Sequence, residues 1–101
     1  GDYIEGIPRD FQVEIPAFCS SKGIQGIKCN PLPKHILSFI YHDKIAPCEM
    51  ELAAFEKGSY NLLLAVVLMD PFTKSEGQAR AFLDEILEMD WNIEMKEHYK
   101  K

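Results

Sequence analysis

The side chains able to do chemistry are few in this chain and scattered along it. Three cysteines stand at Cys19, Cys29 and Cys48. A zinc site built from them with His35 or His42 would need closely paired ligands, and no CxxC spacing occurs. On a helix, two metal-binding histidines favour the i, i+4 spacing; His35 and His42 lie two turns apart and read as surface or boundary residues. An odd number of cysteines without a disulfide framework fits a reducing compartment, so a cytoplasmic location is expected. Glu49 and Glu51 cannot act as a carboxylate pair, because residues two apart on a helix point in different directions. Ser20, Ser21 and Ser38 have no evident His and Asp partners. There is no GxGxxG or GxxxxGK[ST] phosphate loop, no GxSxG elbow and no HExxH pair. The residues alone therefore assign no catalytic, cofactor-binding or metal-ligating side chain.

The elements that could carry a site are clearer. At 101 residues the chain is expected to form one segment, 1–101, with a modest core. Its formal net charge of -5 argues against a general nucleic-acid binder, which needs a clustered basic surface. The one basic cluster, Lys96, Lys100 and Lys101, reads as a solvated tail. No signal peptide is visible, and the longest apolar run falls well short of the ~20 residues that span a membrane. The start at Gly1 instead of methionine is expected of a processed product, a cloned segment or a piece of a longer polypeptide.

The chain is organised around Cys48–Phe72. Within it Leu62 to Met69 runs without a polar side chain. Gly58 suits the position after a helix, Ser59 suits an N-cap, and Pro71 disfavours helical geometry at Asp70. A helix is therefore expected over Tyr60–Met69, buried centrally or against a partner. Before it, Pro47 fits a first-turn position, with Cys48, Leu52 and Phe55 as the apolar side of that helix and Glu49, Glu51 and Glu56 as the solvated side. Lys34–Ile45 is also expected to be helical, on the spacing of Ile36, Phe39 and Ile40. Ser75 and Gln78 have capping-box spacing ahead of an amphipathic helix with Ala79, Phe82, Leu83, Ile86 and Leu87 inward. Trp91, Ile93, Met95 and Tyr99 extend or dock the tail. At the other end, Tyr3–Ile7 and Phe11–Ile15 are expected to pair as an antiparallel hairpin around Pro8–Asp10, with Ala17–Cys19 as a possible edge. Ser20–Pro33 is expected to be a loop anchored by Ile24 and Ile27, whose glycines could let backbone approach a ligand. The fold class is thus α+β: a small antiparallel β-hairpin followed by a cluster of about four helices.

Three blocks, in order, resemble the C-terminal part of the family 4 glycoside hydrolases. Gly6-Ile7-Pro8 through Val13-Glu14-Ile15-Pro16-Ala17 is similar to the family's "NLP…VVEVPA" strand pair. Gly23-Ile24-Gln25 leading to Leu32-Pro33 is similar to its "NGIQP…G-LP" loop. Glu49–Ala54, Gly58 and Leu68-Met69-Asp70-Pro71-Phe72 resemble "QELTVEAALTGD…ALMLDPL", and Phe82–Leu87 resembles the closing "lvdelLeah" segment. Gly6, Gly26, Asn30 and Ala53 depart from the pattern.

The resemblance implies the C-terminal part of a lactate/malate-dehydrogenase-like catalytic domain. It implies an NAD- and Mn2+-dependent enzyme that oxidises C3 of a small glycoside, removes the C2 proton and eliminates the aglycone. The family's nucleotide fold, metal ligands and general acid and base lie upstream of the matching region, so none is carried over to these residues. The segment would line one wall of the sugar pocket with Tyr3–Ile7 and pack against the remainder of the enzyme chain or a second subunit of a homo-oligomer. By itself it would be inactive. Two other classes fit the composition: a stand-alone binding or oligomerisation module using the Leu62–Met69 helix, and a small metal-thiolate protein.

Overall fold

The computed structural model describes residues 2–101. The chain divides into two compact units, Gly1–Ile45 and Ala46–Lys101.

In the first unit the hairpin exists, but not where the alternation placed it. Residues 2–11 form a succession of turns, with Ile7 N–H bonded to Ile4 O at 3.3 Å and Phe11 N–H to Pro8 O at 3.1 Å. Gly6 sits at φ +88°, a left-handed value that breaks the expected Tyr3–Ile7 strand. Phe11, Val13 and Ile15 do alternate in burial with Gln12 and Glu14, yet they join no ladder. Period two therefore recorded which residues turn inward, not which backbone is paired. The actual hairpin lies immediately after Pro16. It joins β1 (Ala17–Ser20) to β2 (Gly23–Gly26), with Phe18 opposite Gln25 and Cys19 opposite Ile24. The two-residue connection works because Ser20 Oγ accepts from Lys22 N–H at 3.2 Å and Gly23 takes φ +120°. The first part of the expected Ser20–Pro33 loop, Ser20 and Gly23–Gly26, is therefore strand. Its proposed anchors fail as well, because Ile24 is 79 % exposed and Ile27 49 %.

Helix α1 (Lys34–Ile40) begins after Pro33, and its last turn widens into a π-helical turn over Tyr41–Ile45. Together they cover the expected Lys34–Ile45. Leu37 and Ile40 are half-buried, whereas Ile36 and Phe39 face solvent, so the apolar stripe is narrower than the sequence suggests.

The second unit is helical. Helix α2 (Ala46–Lys57) holds Pro47 in its first turn and ends at Gly58, whose φ of +57° is the left-handed closure a glycine provides. Helix α3 (Tyr60–Met69) has the expected bounds. Ser59 Oγ accepts from Leu62 N–H, and Asp70 leaves helical geometry at ψ 127° ahead of Pro71. Thr73 then secures the exit, its hydroxyl donating to Val67 O at 2.8 Å. Helix α4 (Glu76–Glu88) is capped by Ser75 Oγ, which accepts from Gln78 N–H at 3.1 Å. The Gln78 side chain returns to Lys74 N–H at 2.8 Å, one residue before the position a capping box serves. A 3-10 turn (Asp90–Asn92) and α5 (Ile93–His98) complete the chain, with Asn92 Nδ2 donating to Ile86 O at the end of α4.

The core of this unit is the α3–α4 seam: Tyr60 and Leu64 against Ala79, Leu83 and Leu87, with Leu63, Val67 and Tyr99 around them. The central run is thus buried along one stripe, and Leu68 reaches solvent. The expected apolar side of α2 does not turn inward: Cys48, Leu52 and Phe55 are exposed, and Ala54 is the buried residue. Phe82 on α4 is likewise exposed. In outline the α+β class holds, an antiparallel hairpin followed by helices.

Candidate functional site

The residues that sequence reasoning set aside as possible ligands stay apart. Cys19 and Cys48 are exposed and Cys29 half-buried, all three as thiols. His35 and His42 are exposed, as are Glu49 and Glu51. Among the described residues no group of three or more His, Cys, Asp and Glu side chains comes together around a point where a cation could sit. The sequence has no glycine-rich phosphate loop to cradle a dinucleotide.

Tyr3–Ile7, expected as a pocket wall, is held firmly even though it is not a strand. The Tyr41 hydroxyl donates to Gly6 O at 2.8 Å, and Cys29 N–H donates to Tyr3 O at 2.8 Å. Gly6 has no room for a side chain, since a Cβ there would stand 2.7 Å from Leu37 Cδ2. Gly26 is filled in the same way: a Cβ would meet Tyr3 Cε1 and Ile15 Cδ1, each at 2.7 Å. Its bareness thus serves the packing of Tyr3, not the approach of a ligand. Behind this frame lies a cleft of about 370 Å³, lined chiefly by Ile4, Ile7, Phe11, Val13, Ile40 and Lys44. Gln12 and Glu14 also line it, so a mostly apolar wall carries a few polar groups and can bound a small polar molecule.

A tight polar cluster around Tyr60 was missed from the sequence. Tyr60 is 1 % exposed, and its hydroxyl donates to Asp84 Oδ1 at 2.7 Å. Lys101 Nζ bonds Asp84 at 3.1 Å and stands 4.9 Å from the centre of the Tyr60 ring. Burial, then the bond to Asp84, raises the Tyr60 pKa. The hydrogen bonds from Tyr60 and Lys101 hold the Asp84 carboxyl below its usual range. A phenol made harder to ionise beside a carboxylate made harder to protonate is a poor acid–base couple at neutral pH. The arrangement reads as a structural clasp between α3 and α4. No spacing rule joins Tyr60 to Asp84; the available signal was that Tyr60 is a polar-tipped aromatic at the start of a helix that is apolar from Leu62 onward.

The larger functional feature is apolar surface. Phe18 and Ile24 stand out from the hairpin, Leu52 and Phe55 from α2, and Phe72, Phe82 and Trp91 from the loops and helix beyond.

The model of the family 4 glycosyl hydrolase C-terminal domain matches residues 1–73. The chain belongs to family 4 of the glycosyl hydrolases, and these residues are its C-terminal domain. The match contains all three sequence blocks, Gly6–Ala17, Gly23–Pro33 and Glu49–Phe72; the likeness of Phe82–Leu87 falls beyond it. Among the described residues no helix is long and apolar enough to cross a membrane.

Proposed function

We propose that this chain forms the C-terminal part of a cytoplasmic, NAD- and Mn2+-dependent glycosidase acting on small glycosides by C3 oxidation and elimination. In this reading it supplies pocket wall and packing surface, not catalytic groups. NAD and Mn2+ are held by other parts of the enzyme, and the exposed apolar side chains are covered by those parts or by a second subunit. The single observation that carries the reading is the family match over residues 1–73. The exposed Phe18, Phe55 and Phe82 support it, because each is a large apolar side chain more than half open to solvent. So does the Tyr3–Ile7 frame, which is rigid and borders an apolar cleft.

The test is turnover of p-nitrophenyl α- and β-glycosides, with and without a 6-phosphate. The chain is assayed alone and together with the nucleotide-binding portion of a family 4 enzyme. The expected result is no hydrolysis by the chain alone. Together the two should give NAD- and Mn2+-dependent hydrolysis, with deuterium from D2O appearing at C2 of the sugar. Hydrolysis by the chain alone without NAD, or products with no label at C2, would overturn it.

The second reading, a non-catalytic association module, draws on the same exposed side chains. Sedimentation separates the two: a discrete homo-oligomer of the chain alone that fails to bind the nucleotide-binding portion favours the module.

A further inference from the structure

The lysines of the tail are exposed as expected, but the backbone that carries them is tied down. Lys100 N–H donates to Gly58 O at 2.9 Å, and Lys100 O accepts from Tyr60 N–H at 3.2 Å. These bonds set Lys100 beside Ser59 as an isolated parallel bridge. His98 Nε2 lies 2.6 Å from Phe55 O, in the last turn of α2. The His98 ring also stacks, tilted, on Phe55 at 4.9 Å. Gly58 makes the approach possible, because a Cβ there would stand 2.6 Å from His98 O. Lys101 then closes over Tyr60 and Asp84. Between this segment and α4 is a cavity of about 440 Å³, with Tyr60, Asp84 and Leu87 on one side and Tyr99 and Lys100 on the other.

We propose that His98–Lys101 is a strap that opens and recloses as one unit over the α2–α3 corner, uncovering Tyr60 and the cavity beside it while the α3–α4 seam stays folded. Three features support independent opening. Apart from half-buried Tyr99, which packs against the core, and the His98 ring on Phe55, the strap's contacts are main-chain bonds and exposed polar pairs, whereas the seam below is held by buried Leu64, Leu83 and Leu87. Elements with few buried apolar contacts open locally at lower free energy than the core. Gly58 and Tyr60 present their main-chain groups to the strap as a sheet edge presents them to an added strand, with one backbone bond in each direction. The strap also lies outside residues 1–73, so it belongs to the part of the chain that the family match does not reach. The proposal does not depend on the glycosidase reading.

Amide hydrogen exchange on the full chain tests it, with His98→Ala as the perturbing variant. In the unsubstituted protein the Lys100 and Tyr60 amides should exchange at matching protection, at least roughly tenfold less protected than Leu64 and Leu87. His98→Ala removes the bond to Phe55 O. It should speed both strap amides together by about tenfold and leave Leu64 and Leu87 unchanged. Two results would overturn the proposal. One is a Lys100 amide exchanging at the rate of an unstructured peptide while Tyr60 stays protected. The other is strap and seam amides exchanging at one common rate, which would mean that the corner opens only with global unfolding.

Discussion

The Tyr60 hydroxyl reaches across the α3–α4 seam to Asp84 Oδ1 at 2.7 Å, and each group changes the other's titration. Tyr60 is shifted up, so its contribution to stability is full below about pH 10 and is lost as pH rises through the folded value. Asp84 is shifted down, so its contribution is full above about pH 4 and is lost as pH falls through the folded value. The difference in unfolding midpoint between the unsubstituted protein and Tyr60→Phe should therefore be constant from about pH 5 to 9 and shrink at both extremes. A difference that keeps growing in alkali would contradict the clasp.

Gly58 joins a left-handed backbone to a close approach by His98 O. Gly58→Ala should cost about 1 kcal/mol for the backbone alone, and more because the atom it meets belongs to main chain that cannot rotate away. Denaturant unfolding followed by far-UV circular dichroism reads the loss. An unchanged midpoint would mean that the α2–α3 corner is looser than described.

Leu64 and Phe55 are both apolar residues of the central stretch, but their surroundings are opposite. Leu64 is 4 % exposed and Phe55 59 %. Leu64→Asp should unfold the helical unit, at a cost of roughly 3 kcal/mol or more. Phe55→Asp should leave the thermal midpoint within a few degrees of the original. From the sequence alone both would be expected to unfold it, so the pair of melting curves measures what the structure adds.

Ser75 begins α4 by accepting from Gln78 N–H. Ser75→Ala should lower stability by about 1 kcal/mol, and Ser75→Asp should retain most of it. Equal melting temperatures for the alanine and aspartate variants would show that the cap contributes nothing.

The parts of the fold that could be read from the residues are those where one residue settles a local question. Gly58, Ser59 and Asp70–Pro71 bracket α3 because each has a backbone preference that neighbours cannot override, and Ser75 does the same for α4. The first hairpin was misplaced because alternation describes burial, and Phe11, Val13 and Ile15 are half-buried without being paired. The turn that does form depends on a Ser20 hydroxyl and a Gly23 dihedral, signals weaker than the alternation beside them. Leu52, Phe55 and Phe82 were expected inside because apolarity says that a side chain wants cover and nothing about which molecule provides it. The clasp of Tyr60 with Asp84 joins residues on different helices, and no periodicity links them.

Phe18, Phe55 and Phe82 all point outward from secondary structure that holds together without them. A screen that ranks variants of the separate chain by heat resistance would score such positions as expendable, and polar replacements there would even improve recovery. Under the proposed function, the cost would appear only when the same variants were paired with the nucleotide-binding portion of a family 4 enzyme and assayed for glycoside turnover. On that reading tolerance to mutation depends on which assembly is assayed, and the phenylalanines are where the two kinds of ranking should diverge most.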